Sequence, residues 1–207
     1  MTSRAIAAIV LLIVGFPIQH RAPTALARFR PDCYRGPTSL GPFTISGPRG
    51  RTSLSSLRDI LGPMPASHTR ALCFARASGR STLILVRATD DANFARTIII
   101  SDFRSCFEDR TRTAANFDSW KTPEGIGLGS SGKAVRAAYG PPSEVETAGA
   151  YFPDFGTIGK AHSAQIPAVD QLLEYRSDPN SNEVDLSECT FGIKNGKVAW
   201  ILISDDE

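Results

Sequence analysis

The feature that most constrains the fold of this chain is an internal repeat. The phrase LRDILGP at residues 57–63 returns as VRAAYGP at residues 135–141, which is 78 residues later. Each phrase has the spacing of a short helix that ends at Gly-Pro, and strand-like runs stand on both sides of it. Self-similarity at a fixed offset indicates that one supersecondary unit occurs twice. We therefore expect a fold assembled from two similar halves.

In the first copy, a short helix is predicted to begin after Thr52 or Ser53, whose side-chain oxygen is suited to capping the first turn. Leu54, Leu57 and Leu61 then fall on one face of that helix. The Gly-Pro pair that follows ends it, because glycine tolerates a positive φ and proline cannot continue the hydrogen-bond ladder.

The second copy has the same order. Ser130 or Ser131 is the corresponding cap, and Val135, Ala138 and Tyr139 form the apolar stripe of the helix. Such short helices do not persist alone in water, so each must lay its stripe on a sheet.

Strand-like runs complete each unit, and Asn195-Gly196 is a strong signal for a two-residue hairpin between the last two of them. The predicted strands lie at 41–45, 71–76, 81–88 and 96–102 in the first copy and at 126–128, 172–177, 189–194 and 197–204 in the second. The predicted fold class is α+β. Two tandem β-α-β-β-β repeats, at about 40–106 and 122–204, form an antiparallel sheet with the short helices on one face.

The first 27 residues have the pattern of a secretory signal peptide. Arg4 precedes an apolar run over residues 5–18, and Ala25-Leu26-Ala27 offers a small-residue cleavage site. The run is shorter than the roughly 18 residues of a spanning helix, although an uncleaved anchor is the alternative. We predict a single exported domain at 28–207, periplasmic or secreted, with no membrane span after the signal is removed.

The charge of the predicted mature chain argues against nucleic acid as a partner. Removing residues 1–27 takes away two arginines and leaves 21 basic and 21 acidic residues. A near-neutral protein has no overall field that attracts DNA or RNA.

All four cysteines lie in the predicted exported part, where an even count indicates two disulfides. Three connectivities are possible. We favour Cys73–Cys106, within the first repeat, and Cys33–Cys189, which would tie the N-terminal segment to the second. The spacing has no C-x-x-C and no Cys/His cluster, so no metal site is predicted.

Four segments together resemble a known group of proteins: residues 122–131 (TPEGIGLGSS), 135–141, 173–176 (LEYR) and 191–198 (FGIKNGKV). They are similar to repeats of the β-lactamase inhibitory protein-like superfamily, which also includes the small outer-membrane lipoprotein of the β-barrel assembly machinery. The tandem arrangement resembles the inhibitor more, and the lipidation cysteine of the lipoprotein is missing. The resemblance implies a protein that acts by binding other proteins. No inhibitor contact motif transfers residue by residue.

No catalytic constellation is indicated. Residues 127–132 match G-x-G-x-x-G, but no parallel βαβ unit follows them, so a dinucleotide site is not expected. His162, Ser163 and Asp170 supply the residue types of a hydrolytic triad without a spacing that enforces it. We predict a protein that is not an enzyme and has no cofactor.

The segment at 143–170 is the largest difference between the two copies, and a connection of this length is usually functional or disordered. It carries Tyr151, Phe152, Asp154 and Phe155, a group typical of a protein-recognition hot spot. The alternative is that these rings cover the open sheet face as core. Phe117 and Trp120 lie between the two copies, and they too could either contact a partner or belong to the core. We favour packing between the two units.

The predicted function is therefore that of an exported, non-enzymatic protein-binding module, inhibitor-like or an accessory of envelope assembly. Its partner would be another envelope or secreted protein, bound through residues 151–155. The alternative is an exported small-molecule-binding or hydrolytic protein with a pocket under the 143–170 segment, where His162 and Asp154 would be the polar groups.

Overall fold

The structure is a computed structural model, and it describes residues 36–44, 51–64, 71–88, 92–102, 110–147, 168–176 and 186–206. The chain divides into two units, Met1–Pro31 and Asp32–Glu207, and all described residues belong to the second.

The strands are β1 (Ser39–Leu40), β2 (Phe43–Thr44), β3 (Ala71–Arg76), β4 (Thr82–Arg87), β5 (Ala95–Ser101), β6 (Arg110–Thr113), β7 (Glu144–Thr147), β8 (Gln171–Arg176), β9 (Leu186–Lys194) and β10 (Lys197–Asp206). The helices are α1 (Leu54–Leu61), α2 (Gly132–Tyr139) and a 3-10 turn at Phe117–Ser119. Strands β1 and β2 form a separate hairpin.

The other eight strands form one sheet in the order β6-β3-β4-β5-β10-β9-β8-β7. Its neighbours pair antiparallel except β3 and β6, which are parallel. A mixed sheet with two short helices confirms the predicted α+β class.

Local sequence explains both helices. Ser53 Oγ accepts a hydrogen bond from the Ser56 N–H at 3.2 Å, and Ser131 Oγ accepts one from the Ala134 N–H at 3.1 Å. These side chains satisfy backbone donors that a helix leaves unpaired at its start. The glycine after each helix has φ near +80°, a conformation that costs glycine nothing. The predicted caps and ends are confirmed.

The sheet is apolar on both faces. The helix face packs against Leu54, Leu57 and Leu61 of α1 and Val135 and Tyr139 of α2. Its sheet residues include Leu72, Phe74, Leu83, Leu85, Ile98, Ile100, Leu173, Tyr175, Phe191, Ile193, Ile201 and Ile203. The far face carries a second buried cluster of Ile84, Val86, Ile99, Val169, Leu172, Ala199, Trp200 and Leu202. Burial on both faces explains the nearly continuous apolar runs of the central strands.

In the middle of the far face, the Trp200 side chain packs closely against the backbone of Gly192. Trp200 on β10 is directly opposite Gly192 on β9. A Cβ at position 192 would lie only 2.1 Å from Trp200 Nε1, so the indole ring occupies the space of a missing side chain. Glycine is therefore required here by packing and not by a turn.

Several predicted elements need correction. Of the predicted strand at 41–45, Phe43–Thr44 is a strand, Gly41 lies in the turn before it with φ +59°, and residue 45 lies outside the described residues. The predicted strand at 126–128 is a turn with a single bridge between Lys121 and Gly127. The structure also contains β6 and β7, neither of which was predicted. The predicted hairpin at Asn195-Gly196 is confirmed, with φ values of +50° and +72°.

The predicted Cys33–Cys189 disulfide is wrong, because Cys189 is a free thiol with no exposed surface. It lies on β9 in the helix-face core, where burial raises the pKa of its thiol. Cys73 is disulfide-bonded. Its predicted partner, Cys106, lies outside the described residues, so that pairing stays a prediction.

Candidate functional site

The structure does not describe the predicted contact residues. Tyr151, Phe152, Asp154 and Phe155 all lie outside the described ranges, and so does His162 of the alternative pocket. The predicted interface at 151–155 therefore stays a prediction.

The rings of Phe117 and Trp120 are part of the core. Phe117 has no exposed surface and Trp120 has 9%, and both belong to the helix-face cluster. Their ring centroids lie 6.3 Å apart in an edge-to-face contact. Trp120 also covers Gly41, where an added Cβ would lie 2.5 Å from the indole Cγ. These rings are thus not available to a partner.

The G-x-G-x-x-G segment at 127–132 uses its backbone donors within the fold. The Gly129 N–H donates to the Val198 carbonyl at 2.8 Å, and the Gly132 N–H donates to the Gly196 carbonyl at 3.1 Å. The segment leads into α2 and is hydrogen-bonded to the β9–β10 hairpin. Its geometry differs from a dinucleotide site, in which such donors face the phosphates.

One edge of the sheet, at β7, has a distinctive charge pattern. All four residues of β7 are exposed, and Val145, at 46%, is among the most exposed large apolar side chains described. Among the described residues, β7 pairs only with β8. Alternate N–H and C=O groups of β7 therefore point away from the sheet with no strand partner in the described part of the chain.

Four glutamates meet beside this edge on the far face. Glu174 on β8 lies opposite Glu144 on β7, and Arg176 on β8 lies opposite Glu188 on β9. Glu146 follows Glu144 by two residues, so strand alternation places it on the same face. We call these four glutamates with Arg176 and Val145 the acidic edge.

One arginine is shared among the carboxylates. Arg176 Nη2 lies 2.6 Å from Glu174 Oε2, while its other nitrogens lie 3.9 Å from Glu144 and 3.9 Å from Glu188. The Thr190 hydroxyl donates to Glu188 Oε1 at 3.1 Å. One guanidinium cannot neutralise four carboxylates, so the acidic edge has an excess of negative charge.

Glu174 is the unusual member of this group. Its side chain is 2% exposed, and its Oε2 accepts no hydrogen bond among the described residues despite the close ion pair. Burial raises the pKa of this carboxyl, Arg176 opposes the shift, and Glu188, Glu146 and Glu144 add to it. Removing the carboxylate from water destabilises its charged form more than the half-exposed Arg176 guanidinium stabilises it.

A separate polar network anchors α2 on the helix face. The Tyr139 hydroxyl lies 2.5 Å from both Thr122 Oγ1 and Glu124 Oε2, and its ring contacts Tyr175 and Phe191 at 5.6 and 5.7 Å between centroids. Burial and the hydrogen bond with Glu124 raise the pKa of Tyr139. Burial also raises the pKa of Tyr175 to about 12. These contacts anchor α2 to the helix-face core.

The described residues contain no group of three or more His, Cys, Asp or Glu side chains arranged to hold a metal ion. Their helices are also too short and too polar to cross a membrane. What the acidic edge offers chemically is a strand with unpaired backbone groups, an apolar side chain and negative charge. Such an edge suits an extended, basic segment of another protein.

The sequence analysis does not predict strand β7, because it assigns residues 143–170 to one long connection. The alternation Glu-Val-Glu-Thr at 144–147 was the available signal. Nothing local marked Glu174 as buried, since its environment comes from β7 and β9.

The chain matches no protein-family model and no curated protein. Among solved structures it is similar to the crystal structure of a DUF4309 family protein (YjgB) from Bacillus subtilis subsp. subtilis str. 168. The two share 10% sequence identity over 78% of this chain and 82% of that chain, with a TM-score of 0.36. A likeness at this level supports no argument about this protein.

Proposed function

We propose that this chain is an exported, non-enzymatic protein-binding module that binds its partner along the acidic edge. The observation that carries the proposal is β7, an edge strand exposed over its whole length and paired on one side only in the described part of the chain. An edge strand with one unpaired side is a template for another chain. In the described part of the chain β7 has such a side, which is suited to β-strand addition by a partner.

The partner in this proposal is an extended segment of an envelope or secreted protein that carries lysine or arginine. Main-chain hydrogen bonds to β7 supply affinity, and Val145 offers an apolar contact. The excess carboxylates lie on the other face of the strand from Val145, and they select for basic side chains and speed the encounter. Tyr151 follows Thr147 by four residues, so the aromatic residues at 151–155 belong to the same stretch of chain and are proposed as part of the surface.

The proposed module is built of two similar halves, each a short helix followed by three strands of the sheet. Its support is the offset of 78 residues that relates the caps Ser53 and Ser131 and the glycines Gly62 and Gly140 that end the helices. The order of the strands adds support. Across the sheet, β3, β4 and β5 follow the order of the chain, and the next three strands, β10, β9 and β8, follow it in reverse. This is the order expected of two similar halves related by an approximate two-fold axis between β5 and β10.

Export is proposed from the signal peptide pattern at residues 1–27, and the same pattern places the partner in the envelope or among secreted proteins. The absence of catalytic chemistry is proposed from the sequence, which has no enforced nucleophile and base arrangement.

The test is capture by the purified protein, with chemical cross-linking, from envelope and secreted fractions of the source cell. The double variant Glu144→Lys, Glu146→Lys reverses the charge of β7, and Asp59→Lys on the exposed side of α1 is the matched control. We expect the double variant to lose a partner that the control retains. A partner retained equally by both variants would place the interface elsewhere, and the Tyr151/Phe152/Phe155 triple alanine variant would then test the neighbouring segment.

A further inference from the structure

The opposite end of the sheet carries a cavity with the opposite charge. It has a volume of about 70 Å³ and lies where the turn between β3 and β4 meets the edge strand β6. Three arginines, Arg76, Arg80 and Arg112, are among the residues that line it, together with Ser81. We call this the arginine cavity.

The strand pairing explains why arginines that are distant in sequence meet here. Strand β6 runs parallel to β3, with Ala75 opposite Arg112. The Ala77 N–H donates to the Thr113 carbonyl at 2.8 Å, which ties the start of the turn to β6. The Arg76 N–H donates to the Ser81 carbonyl at 3.2 Å and closes the turn that contains Arg80.

Among the described residues, a single carboxylate pairs with the arginines of the arginine cavity. Arg76 forms an ion pair with Asp118 of the 3-10 turn. Arg80 and Arg112 are exposed, and neither has an ion-pair partner among the described residues. Arginine stays protonated at all relevant pH values, so three guanidiniums and one carboxylate leave a net charge of about +2. Like charges brought together in this way repel one another unless an anion joins them.

We propose that the arginine cavity binds a doubly charged oxyanion of the phosphate type, either free phosphate or a phosphomonoester. The volume is several times the roughly 10–15 Å³ that one water molecule requires, so the cavity has room for a group larger than water. A phosphate group carries about −1.5 to −2 charges at neutral pH, which matches the excess of the cavity. Guanidinium groups also present paired N–H donors in the geometry that phosphate oxygens accept.

The test uses isothermal titration calorimetry at constant ionic strength, with inorganic phosphate, phenyl phosphate and acetate as probes. We expect binding of at least one phosphate probe and much weaker binding of acetate, whose single charge leaves the cavity unbalanced. Tighter binding of phenyl phosphate identifies a phosphomonoester as the ligand class, and tighter binding of inorganic phosphate identifies the free ion. Equal affinity for acetate and both phosphates, or no heat with any probe, would overturn the proposal.

Variants locate the site. The double variant Arg80→Gln, Arg112→Gln removes two exposed charges and should weaken phosphate binding by about tenfold or more, because charge-assisted hydrogen bonds are the strong ones. Arg58→Gln, an exposed arginine on α1, is the matched control and should bind as the unmodified protein does. Circular dichroism melts show that each variant is folded. Equal binding by the double variant and the control would also overturn the assignment.

Discussion

The contact between Gly192 and Trp200 provides the sharpest test of how the far face is packed. In Gly192→Ala, the new methyl group would lie 2.1 Å from Trp200 Nε1 and 2.2 Å from Cε2. Ordinary contacts of a Cβ begin at about 3.4 Å, so the indole must move by more than 1 Å. Trp200 has no exposed surface, and its neighbours on the far face leave it no free direction.

The expected cost follows from two opposing effects. Overfilling a packed core costs about 1–3 kcal/mol, and the upper part of that range applies because three ring atoms conflict with the methyl group. Replacing glycine within a strand returns about 0.5–1 kcal/mol of backbone entropy. We expect a net loss of about 2 kcal/mol in the free energy of unfolding. For a chain of this length that lowers the melting temperature by about 4–8 °C.

The assay is urea unfolding followed by circular dichroism, with Gly132→Ala as the matched control. Gly132 begins α2 without a positive φ, and an added Cβ there meets its nearest atoms at an ordinary 3.6 Å. That variant should be neutral or slightly stabilising. The same Gly192→Ala change in a Trp200→Leu background should lose most of its cost, since the conflicting ring is gone. An undiminished cost in that background would refute the reasoning.

Three further predictions concern ionisable side chains. Because the folded protein holds a proton on Glu174 above the ordinary pKa of 4.5, its stability should fall as the pH rises from about 4.5 through the raised pKa. Glu174→Gln should flatten that slope in urea titrations, and an unchanged slope would assign it to other groups. Tyr139→Phe removes the hydroxyl that bridges Thr122 and Glu124 and should cost about 1–3 kcal/mol in thermal unfolding; a melt equal to that of the unmodified protein would contradict the network. Cys189, fully buried, should resist alkylation until urea unfolds the chain, as peptide mass spectrometry can follow. Equal labelling of the native protein would contradict its burial.

The elements predicted correctly are those whose causes are local. A serine cap, apolar residues three and four apart and a terminal glycine act within one helical turn, so α1 and α2 begin and end where their sequences indicate. The hairpin at Asn195-Gly196 is likewise decided by two residues that accept positive φ. The central strands were found because both of their faces are apolar.

The acidic edge and the arginine cavity were not predictable in the same way. Strand β7 has only four residues and a single apolar side chain, so the alternation in its sequence is too short to separate it from a loop. Glu174 becomes a buried carboxyl only because β7 and β9 flank it. Between β3 and β6 the chain forms strands β4 and β5. Arg76 and Arg112 meet because β6 then pairs in parallel with β3.

The cysteines also show the difference between what local sequence indicates and what the assembled sheet requires. Their even number indicated two disulfides, yet the sheet places Cys189 in the interior as a free thiol. The helices, their caps, the last hairpin and the apolar strands follow from the local sequence, because they depend on contacts within a few residues. The order of the strands, the two charged edges and the close contact of Trp200 with Gly192 arise only when the sheet is assembled. Those depend on which distant segments pair and in what register, and a shift of one residue would turn every side chain to the other face.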